Sequence, residues 1–296
     1  MRGMETTLDN GTVRAVFSDK GAELLSVRRD GAEYVWQGDP AIWDERSPLL
    51  FPICGRIPDC KYLWRGVEHG LGLHGFARFC RFEVSGSAPD RVRFELHDTP
   101  ETRESYPFAF GLSVEYRLLG ASLLVSATVR NENAEGGDVL PFQLGFHPGI
   151  AVPLGGEGGF ADWRLVFDEP CDPDRVLFSA ASLPTGIRTA FTLENRRELP
   201  LRHDMFDAGG IFLAGVSKAA TLQSPLSKRS VRIEFADFRY LGLWHKPDTE
   251  AQYVCLEPWS GLPSFDGARE DFAAKSGMTR LPPGEARTWR FSLAFR

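Results

Sequence analysis

Alternation of polar and apolar residues with a period of two is the feature that most constrains this chain. Residues 91–96 read Arg-Val-Arg-Phe-Glu-Leu, so that every second side chain is apolar. Because successive side chains of a β-strand point to opposite faces, this pattern places one row in a core and the other in solvent. The same alternation predicts strands over residues 112–118, 122–129, 230–235 and 288–295.

Turn residues separate the alternating segments. Asn10-Gly11, Asp19-Lys20-Gly21 and Arg29-Asp30-Gly31 predict three chain reversals, since Gly, Asn and Asp readily adopt the backbone angles that tight turns need. The opening of the chain is therefore predicted to form successive hairpins, with strands over residues 12–18, 22–28 and 32–36.

Helical patterns are few. Short helical turns are expected only over residues 40–45 and 265–275, whereas 30 glycines and 20 prolines punctuate many short strands. This combination predicts an all-β fold, a sandwich or a barrel, and not a series of alternating strands and helices. No linker or low-complexity tract interrupts the pattern, so residues 1–296 are expected to form a single β-sandwich domain.

The charge balance argues against several classes of function. The chain has 40 acidic and 34 basic residues, a formal net charge of −6, and no basic stripe of the kind that binds nucleic acid. We recognise no secretory signal and no apolar run of about 20 residues that could cross a bilayer. The five cysteines form no Cys-x-x-Cys pair, which favours reduced thiols and a cytoplasmic location. No nucleic-acid or membrane partner is expected.

Three irregular segments, residues 47–81, 141–154 and 253–263, carry histidine, arginine or glutamate beside glycine and aromatic residues. Loops and strand ends are where β-sandwiches usually place their chemistry. In the first segment Arg56 follows an apolar stretch, and its fork of donors suits sugar hydroxyls or a carboxylate. His74 lies between glycines that allow close approach of the backbone. Each residue also has a structural interpretation: Arg56 as an ion-pair partner, and His74 as a hydrogen-bonded histidine.

The other two segments each contain an acid–base candidate. His147 precedes Pro148, which restricts His147 to extended backbone, and desolvation by its aromatic neighbours would influence its pKa. Glu257 ends an otherwise apolar strand, where a carboxylate is costly unless it is paired or used. Trp244 and Trp259 offer flat faces of the kind on which sugar C–H surfaces stack. Alternative interpretations are that His147 closes a turn by hydrogen bonding and that Glu257 forms a salt bridge with an arginine.

A metal site is weighed and not expected. His74, His147 and Glu257 are residue types that bind zinc, but they lack the short i, i+2 or i, i+4 spacing that usually anchors such a site. We find no P-loop, dinucleotide fingerprint or Ser-His-Asp order, so no other catalytic motif competes with the combination of histidines and glutamate. The prediction is a site without metal or cofactor.

The chain resembles the aldose 1-epimerase (galactose mutarotase) family, and most of all its LacX-like branch, in four motifs that occur in order: FPICGRI, LHGFAR, FHPGIAVP and VCLEPWSG. The resemblance implies a large antiparallel β-supersandwich with an open cleft. It implies sugar contacts for Arg56 and His74, a general acid at His147 and a general base at Glu257. Arg78 lies in the same motif as His74 and is expected to contribute to sugar binding.

Two positions make the resemblance less complete. The family often uses an aspartate on the sugar hydroxyls; Asp204 is the nearest candidate in this chain, and Asp207 is close behind. Gly149-Ile150 stands where many relatives have an aromatic residue after His-Pro. The shape of the pocket, and therefore the identity of the sugar, is left open.

The implied activity is that of an aldose 1-epimerase (mutarotase), which interconverts the α and β anomers of a free aldohexose by acid–base ring opening and closure. Glu257 would take the proton of the anomeric hydroxyl while protonated His147 gives one to the ring oxygen. Two alternatives stay open. A hexose-6-phosphate 1-epimerase would need a basic cluster, for which Arg56, Arg78 and Arg81 are candidates. A non-catalytic sugar-binding or sensor module would share the fold but would not need an acid–base pair.

Overall fold

The computed structural model describes residues 3–267 and 271–296. Within these ranges the strands pair with one another in antiparallel fashion. In chain order the strands are β1 (Glu5–Asp9), β2 (Arg14–Ser18), β3 (Leu24–Arg29), β4 (Ala32–Glu33), β5 (Leu49–Leu50), β6 (Lys61–Trp64), β7 (Val67–Gly70), β8 (Glu83–Ala88), β9 (Arg91–His97), β10 (Phe110–Leu119), β11 (Ser122–Asn131), β12 (Leu140–Phe142), β13 (Gly145–Phe146), β14 (Gly149–Ala151), β15 (Arg164–Phe167), β16 (Asp174–Phe178), β17 (Pro184–Ala190), β18 (Glu198–Pro200), β19 (Ile211–Ala214), β20 (Ala219–Gln223), β21 (Ser230–Glu234), β22 (Tyr240–Trp244), β23 (Tyr253–Trp259), β24 (Thr279–Leu281) and β25 (Ala286–Phe295).

Three sheets make up most of the fold. Nine strands pair in the order β18-β15-β20-β21-β25-β11-β10-β9-β8. Eight strands form the second sheet, in the order β17-β16-β19-β22-β23-β13-β5, with β14 also paired to β23. The first four strands pair consecutively in a third sheet, and two small ribbons, β12-β24 and β6-β7, complete the pairing.

Side chains between the sheets form one large core that includes residues from Leu8 to Phe295. Phe146 of the eight-stranded sheet packs against Phe291 of the nine-stranded sheet, with ring centroids 4.7 Å apart. Phe17 of the four-stranded sheet lies 4.5 Å from Tyr116 of the nine-stranded sheet. The predicted all-β, antiparallel supersandwich is therefore confirmed.

The alternating segments and the turns also behave as predicted. The five alternating segments are confirmed as β9, β10, β11, β21 and β25, and the opening hairpins as β2, β3 and β4, although β4 ends at Glu33 and does not extend to residue 36 as predicted. Asp30 and Gly31, between β3 and β4, both have positive φ, 48° and 77°, which is the conformation of the hairpin turn that suits twisted strands. Strand β1 was not predicted, because most of its side chains are exposed and it shows no apolar row.

Helices are short. The α-helix α1 (Pro100–Ser105) begins where the Thr99 hydroxyl accepts a hydrogen bond from the Thr102 N–H; sequence analysis missed it although Thr-Pro-Glu is an N-terminal helix signal. Residues 40–42 form a turn that is not helical. The described part of 265–275 contains turns and an isolated bridge from Asp271 to Leu63, while 268–270 lie outside the described residues. Among the helices of the described ranges, none has the length and apolarity to span a membrane. Within the part of the chain that the structure describes, five 3₁₀ helices complete the elements: Pro58–Cys60, Ala77–Phe79, Leu154–Gly156, Phe160–Asp162 and His203–Phe206.

Strand β23 is buried at every position. Because side chains alternate along a strand, Val254 and Leu256 point into the large core. Cys255, Glu257 and Trp259 point to the opposite face of the sheet, where two smaller apolar clusters contain Cys255 and Trp259. This outer face of β23 is where the polar site described below is built.

Gly75→Ala should destabilise the protein more than Gly66→Ala. Both glycines have positive φ, 71° and 76°, so alanine at either position should cost about 1–2 kcal/mol of unfolding free energy. A Cβ at Gly75 would in addition collide with the Phe51 carbonyl oxygen, whereas the space at Gly66 is open. Urea denaturation should therefore show a larger loss for the Gly75 variant. Equal losses would mean that the chain next to His74 relaxes without cost.

Candidate active site

A cavity of about 490 Å³ opens at the outer face of β23. It joins segments that are far apart in the sequence, which come from the loops around β5, β13, β16, β19, β22 and β23. Most of the predicted site residues line it: Arg56, His74, Arg78, His147, Trp244, Glu257 and Trp259.

His147 and Glu257 form the centre of the cavity wall. The Nε2 atom of His147 lies 3.3 Å from Oε1 of Glu257, and the two residues are only 8% and 1% exposed. Strand β23 continues through Glu257 to Trp259, so Glu257 does not end the strand as predicted. Among the described residues, no group hydrogen-bonds to His147 Nδ1 or to either Glu257 oxygen with good geometry. These buried polar atoms are thus available to a ligand.

Burial dominates the titration of this pair. It raises the pKa of the Glu257 carboxyl well above its ordinary value, which the neighbouring Trp259 side chain opposes. It lowers the pKa of His147 to about 3; the residue's own backbone opposes that shift, and the Arg78 guanidinium adds to it. Both shifts favour a neutral imidazole beside a protonated carboxyl, because burial penalises charged forms. The pair therefore holds one exchangeable proton.

The backbone holds His74, whose ring centroid lies 5.6 Å from that of His147. The φ of His74 is +63°, an unusual value for a residue with a side chain. The N–H of His74 donates to the Gly55 carbonyl at 2.6 Å, and the N–H of Gly55 donates to Nδ1 of His74 at 3.0 Å. Since Nδ1 is an acceptor, the neutral ring carries its proton on Nε2. Burial and the neighbouring His147 lower the pKa of His74 well below its ordinary value, so this neutral form is favoured.

The two arginines of the cavity differ in their partners. Arg78, in the 3₁₀ helix Ala77–Phe79, donates from Nη1 to both carboxylate oxygens of Glu45, at 2.8 and 2.7 Å. Arg56 is exposed in the cavity, and in the described part of the chain no acceptor or carboxylate pairs with its guanidinium. Arg56 is therefore free to bind a ligand, whereas Arg78 is already engaged.

The aspartate expected on the sugar hydroxyls does not join the cavity lining. Asp204 has a side chain that is 71% exposed and pairs with Arg202 at 3.1 Å. The Oδ1 atom of Asp207 accepts a hydrogen bond from the N–H of Asp248. The chain lines the cavity near this point with Gly209 and its neighbours 208 and 210 instead.

Aromatic rings form two walls beside the acid–base pair. On one side Trp43 and Trp244 lie 5.2 and 5.5 Å from the His147 ring, measured between centroids. On the other side Trp259 packs on Phe212 at 4.4 Å and lies 5.7 Å from His74. Both predicted tryptophans thus line the cavity, but one face of Trp259 is covered by Phe212.

Sequence analysis missed several lining residues. Trp43 and Glu45 lie in the segment that was interpreted only as a helical turn, and Lys246 follows directly after the segment that contains Trp244. A tryptophan next to acidic residues, before an apolar stretch, was the available signal for Trp43 and Glu45. Phe178 and Phe212 carried no signal, since an aromatic residue in a strand is usually part of a core.

One group of side chains has the spacing of metal ligands. His147, Cys255 and Glu257 each place a ligand atom within 4.8 Å of the others, and all are buried. A metal-bound cysteine is a thiolate, but burial and the nearby Glu257 raise the pKa of the Cys255 thiol well above its ordinary value. Binding of an ion here would therefore have to release the proton of Cys255.

The chain is similar to proteins of one family over nearly its whole length. A family model described as aldose 1-epimerase matches residues 4–294. The plasmid-encoded protein LacX of Lactococcus lactis subsp. lactis is 33% identical over 268 residues, which cover 88% of each chain. The chromosomal LacX protein of the same organism is 32% identical over the same length.

Two solved structures have the same fold. One, a galactose mutarotase related enzyme from Lactobacillus acidophilus, superposes with a TM-score of 0.93 at 29% identity and covers 99% of this chain and 97% of its own. The other, a galactose mutarotase-like protein from Lactobacillus casei, gives a TM-score of 0.91 at 32% identity and covers 99% and 100%.

Glu257→Gln should stabilise the protein, and increasingly so as the pH rises. Burial raises the pKa of Glu257 above its ordinary value of 4.5, so above about pH 4.5 the native chain holds a proton that the unfolded chain releases. Wild-type stability then falls with rising pH by at most about 1.4 kcal/mol per pH unit, and glutamine removes this loss. Urea denaturation near pH 5 and near pH 8 measures it; an advantage that does not grow with pH would contradict the raised pKa.

Proposed function

The chain belongs to the aldose 1-epimerase family, and on that premise we propose that it interconverts the α and β anomers of a free aldohexose by acid–base opening and closure of the ring. The observation that carries the proposal is the His147–Glu257 pair, 3.3 Å apart and buried in the wall of a cavity large enough for a sugar. A binding module would have no use for an acid and a base that share one proton.

The reaction needs two proton transfers in each direction. Glu257, as carboxylate, takes the proton of the anomeric hydroxyl while the imidazolium of His147 protonates the ring oxygen, and the bond from C1 to the ring oxygen breaks. Rotation about C1–C2 presents the other face of the aldehyde. Closure returns the proton from the former ring oxygen to His147 and the proton of Glu257 to the new anomeric oxygen. The reaction thus regenerates the catalyst and consumes no other reactant.

The protonation state of the pair suits the open-chain intermediate. Ring opening leaves His147 neutral and Glu257 protonated, which is the state that burial favours by lowering the pKa of one and raising that of the other. Binding of the cyclic sugar has to shift one proton from Glu257 to His147. The hydroxyl groups of the sugar assist this shift, because hydrogen bonds to charged forms favour those forms.

Other residues of the cavity hold the sugar. Neutral His74 presents its Nε2–H as a donor, since Nδ1 is occupied by Gly55, and Arg56 has unpaired donors. Trp244 and Trp259 provide apolar surface for the C–H face of the ring. Sugar contacts of Arg78 and Asp204 stay predictions: Arg78 is bound by Glu45, and Asp204 would have to reach the cavity from outside its lining.

A hexose-6-phosphate 1-epimerase is the second candidate. Of the three arginines considered for the phosphate, Arg81 pairs with Asp19 away from the cavity and Arg78 pairs with Glu45. Arg56 and Lys246, however, both line the cavity and have no side-chain partner within residues 3–267 and 271–296. Two uncompensated cations favour an anionic group on the sugar, so phosphorylated hexoses belong in every assay.

Glu257→Gln and His147→Asn should each reduce the rate of anomer exchange by about 10²–10⁴-fold while sugar still binds, because each removes one proton-transfer group. Proton NMR of freshly dissolved galactose, glucose and glucose 6-phosphate, with and without protein, measures the rate. Gln252→Glu, on the surface beside the β23 strand, serves as a control that should retain the wild-type rate. A near-native rate in either site variant would remove that residue from the mechanism. Binding without turnover by the wild type would instead support a sensor module.

Arg56→Ala should raise the apparent KM by about tenfold or more with a smaller change in kcat, since it removes charge-assisted hydrogen bonds to the sugar. A larger loss for glucose 6-phosphate than for glucose would support the phosphate candidate. Arg91→Ala, exposed on β9, is the matched control and should leave both constants unchanged. An unaltered KM in the Arg56 variant would exclude its role in binding.

A further inference from the structure

The cavity contains an ion pair in addition to His147 and Glu257. Exchange of a proton between those two residues does not by itself require this ion pair. Nη1 of Arg78 donates to both carboxylate oxygens of Glu45, at 2.8 and 2.7 Å. The side chains of Arg78 and Glu45 are only 14% and 29% exposed, and both line the cavity. An ion pair so sheltered from solvent is screened less than one on the surface.

The charge of Arg78 acts on both histidines of the site. The guanidinium contributes to lowering the pKa of His74 and of His147, after burial in each case. A general acid at His147 has to carry a proton during part of the reaction, and an uncompensated positive charge nearby opposes this. The carboxylate of Glu45 supplies a negative charge at the guanidinium itself.

Glu45 also adjoins the aromatic wall of the site. Trp43, two residues earlier in the chain, has its ring 5.2 Å from that of His147. Burial raises the pKa of Glu45, whereas Arg78 and the Trp43 side chain both favour its ionised form. Glu45 thus interacts both with Arg78 and with Trp43, whose ring borders His147.

We propose that Glu45 is a positioning residue, whose carboxylate holds the Arg78 guanidinium beside the two histidines and compensates its positive charge at the His147–Glu257 pair. This inference rests on the proposed function, because it concerns the proton that the pair exchanges with the sugar. It explains why a carboxylate that makes no contact with the pair itself is kept half-buried in the cavity.

Other titratable or charged side chains also face the pair, and they set the background against which the ion pair acts. Because they are unchanged in variants of Glu45 and Arg78, a shift of the pH profile between those variants reports the ion pair alone. Near the pair these side chains are Arg56, His74, Lys246, Tyr253 and Cys255, and near Glu45 they are Glu23 and Asp44, both of which raise its pKa.

The test is the pH dependence of kcat/KM for anomer exchange in a double-mutant cycle. Glu45→Gln leaves Arg78 uncompensated, which favours loss of protons from the pair, so the bell-shaped profile should move to lower pH by about one unit. Arg78→Met leaves the negative charge and should move the profile to higher pH, by less, because Glu45 can then take up a proton itself. The double variant should return to the wild-type profile, since it removes no net charge.

Glu198→Gln is the matched control. It breaks the Arg164–Glu198 ion pair of 2.9 Å, which lies outside the cavity lining, and should not move the profile. If Glu45→Gln does not fold, the direction of the shift in Arg78→Met decides the question.

Unshifted profiles in both single variants would overturn the inference, even if their rates fall at every pH, because a merely structural role predicts that result. A higher KM in Arg78→Met that persists in the double variant, without any shift, would overturn it in favour of a direct sugar contact. An active wild type with unshifted variants leaves the proposed function intact. A wild type that turns over no aldose would defeat both.

Discussion

Burial of Glu257 in the wall of the cavity is the constraint on which the rest of the site depends. Strand β23 is buried on both faces, with Val254 and Leu256 in the core of the sandwich and Glu257 on the opposite side. Because an ionised group costs free energy there, the pKa of Glu257 rises and that of His147, 3.3 Å away, falls. The fold thereby gives the two side chains pKa values that they would not have in water.

The position of His74, next to His147, is held by the backbone. His74 has a left-handed conformation that costs about 1–2 kcal/mol for a residue with a side chain, and surrounding contacts have to offset that cost. The two hydrogen bonds with Gly55 do so in part, and they leave Nε2 as the free ring nitrogen. Gly55 itself has positive φ and packs so closely on Pro263 that a side chain would collide with it. Strain and close packing here determine which atom of His74 faces the cavity.

The charges of the cavity fall into three groups with different consequences. Glu45 and Arg78 neutralise each other, His147 and Glu257 are kept neutral by burial, and Arg56 and Lys246 have no partner among the described side chains. In the proposed mechanism the first group tunes the proton-transfer pair, the second group performs the transfer, and the third group binds the substrate. On this proposal, the choice between a neutral and an anionic sugar depends on the third group and not on the chemistry at C1.

The sequence by itself determined what is local. Alternation and turn residues specified β9, β10 and the opening hairpins, since the side-chain period and the turn angles are properties of neighbouring residues. Four motifs were sufficient to name the family and to select His147 and Glu257. Only the tertiary structure decided that Glu45 binds Arg78, that Arg81 pairs with Asp19 instead of lining the cavity, and that Asp204 lies outside the lining. These outcomes, like the pKa of Glu257, depend on distance and burial between segments far apart in the chain, which no local pattern encodes.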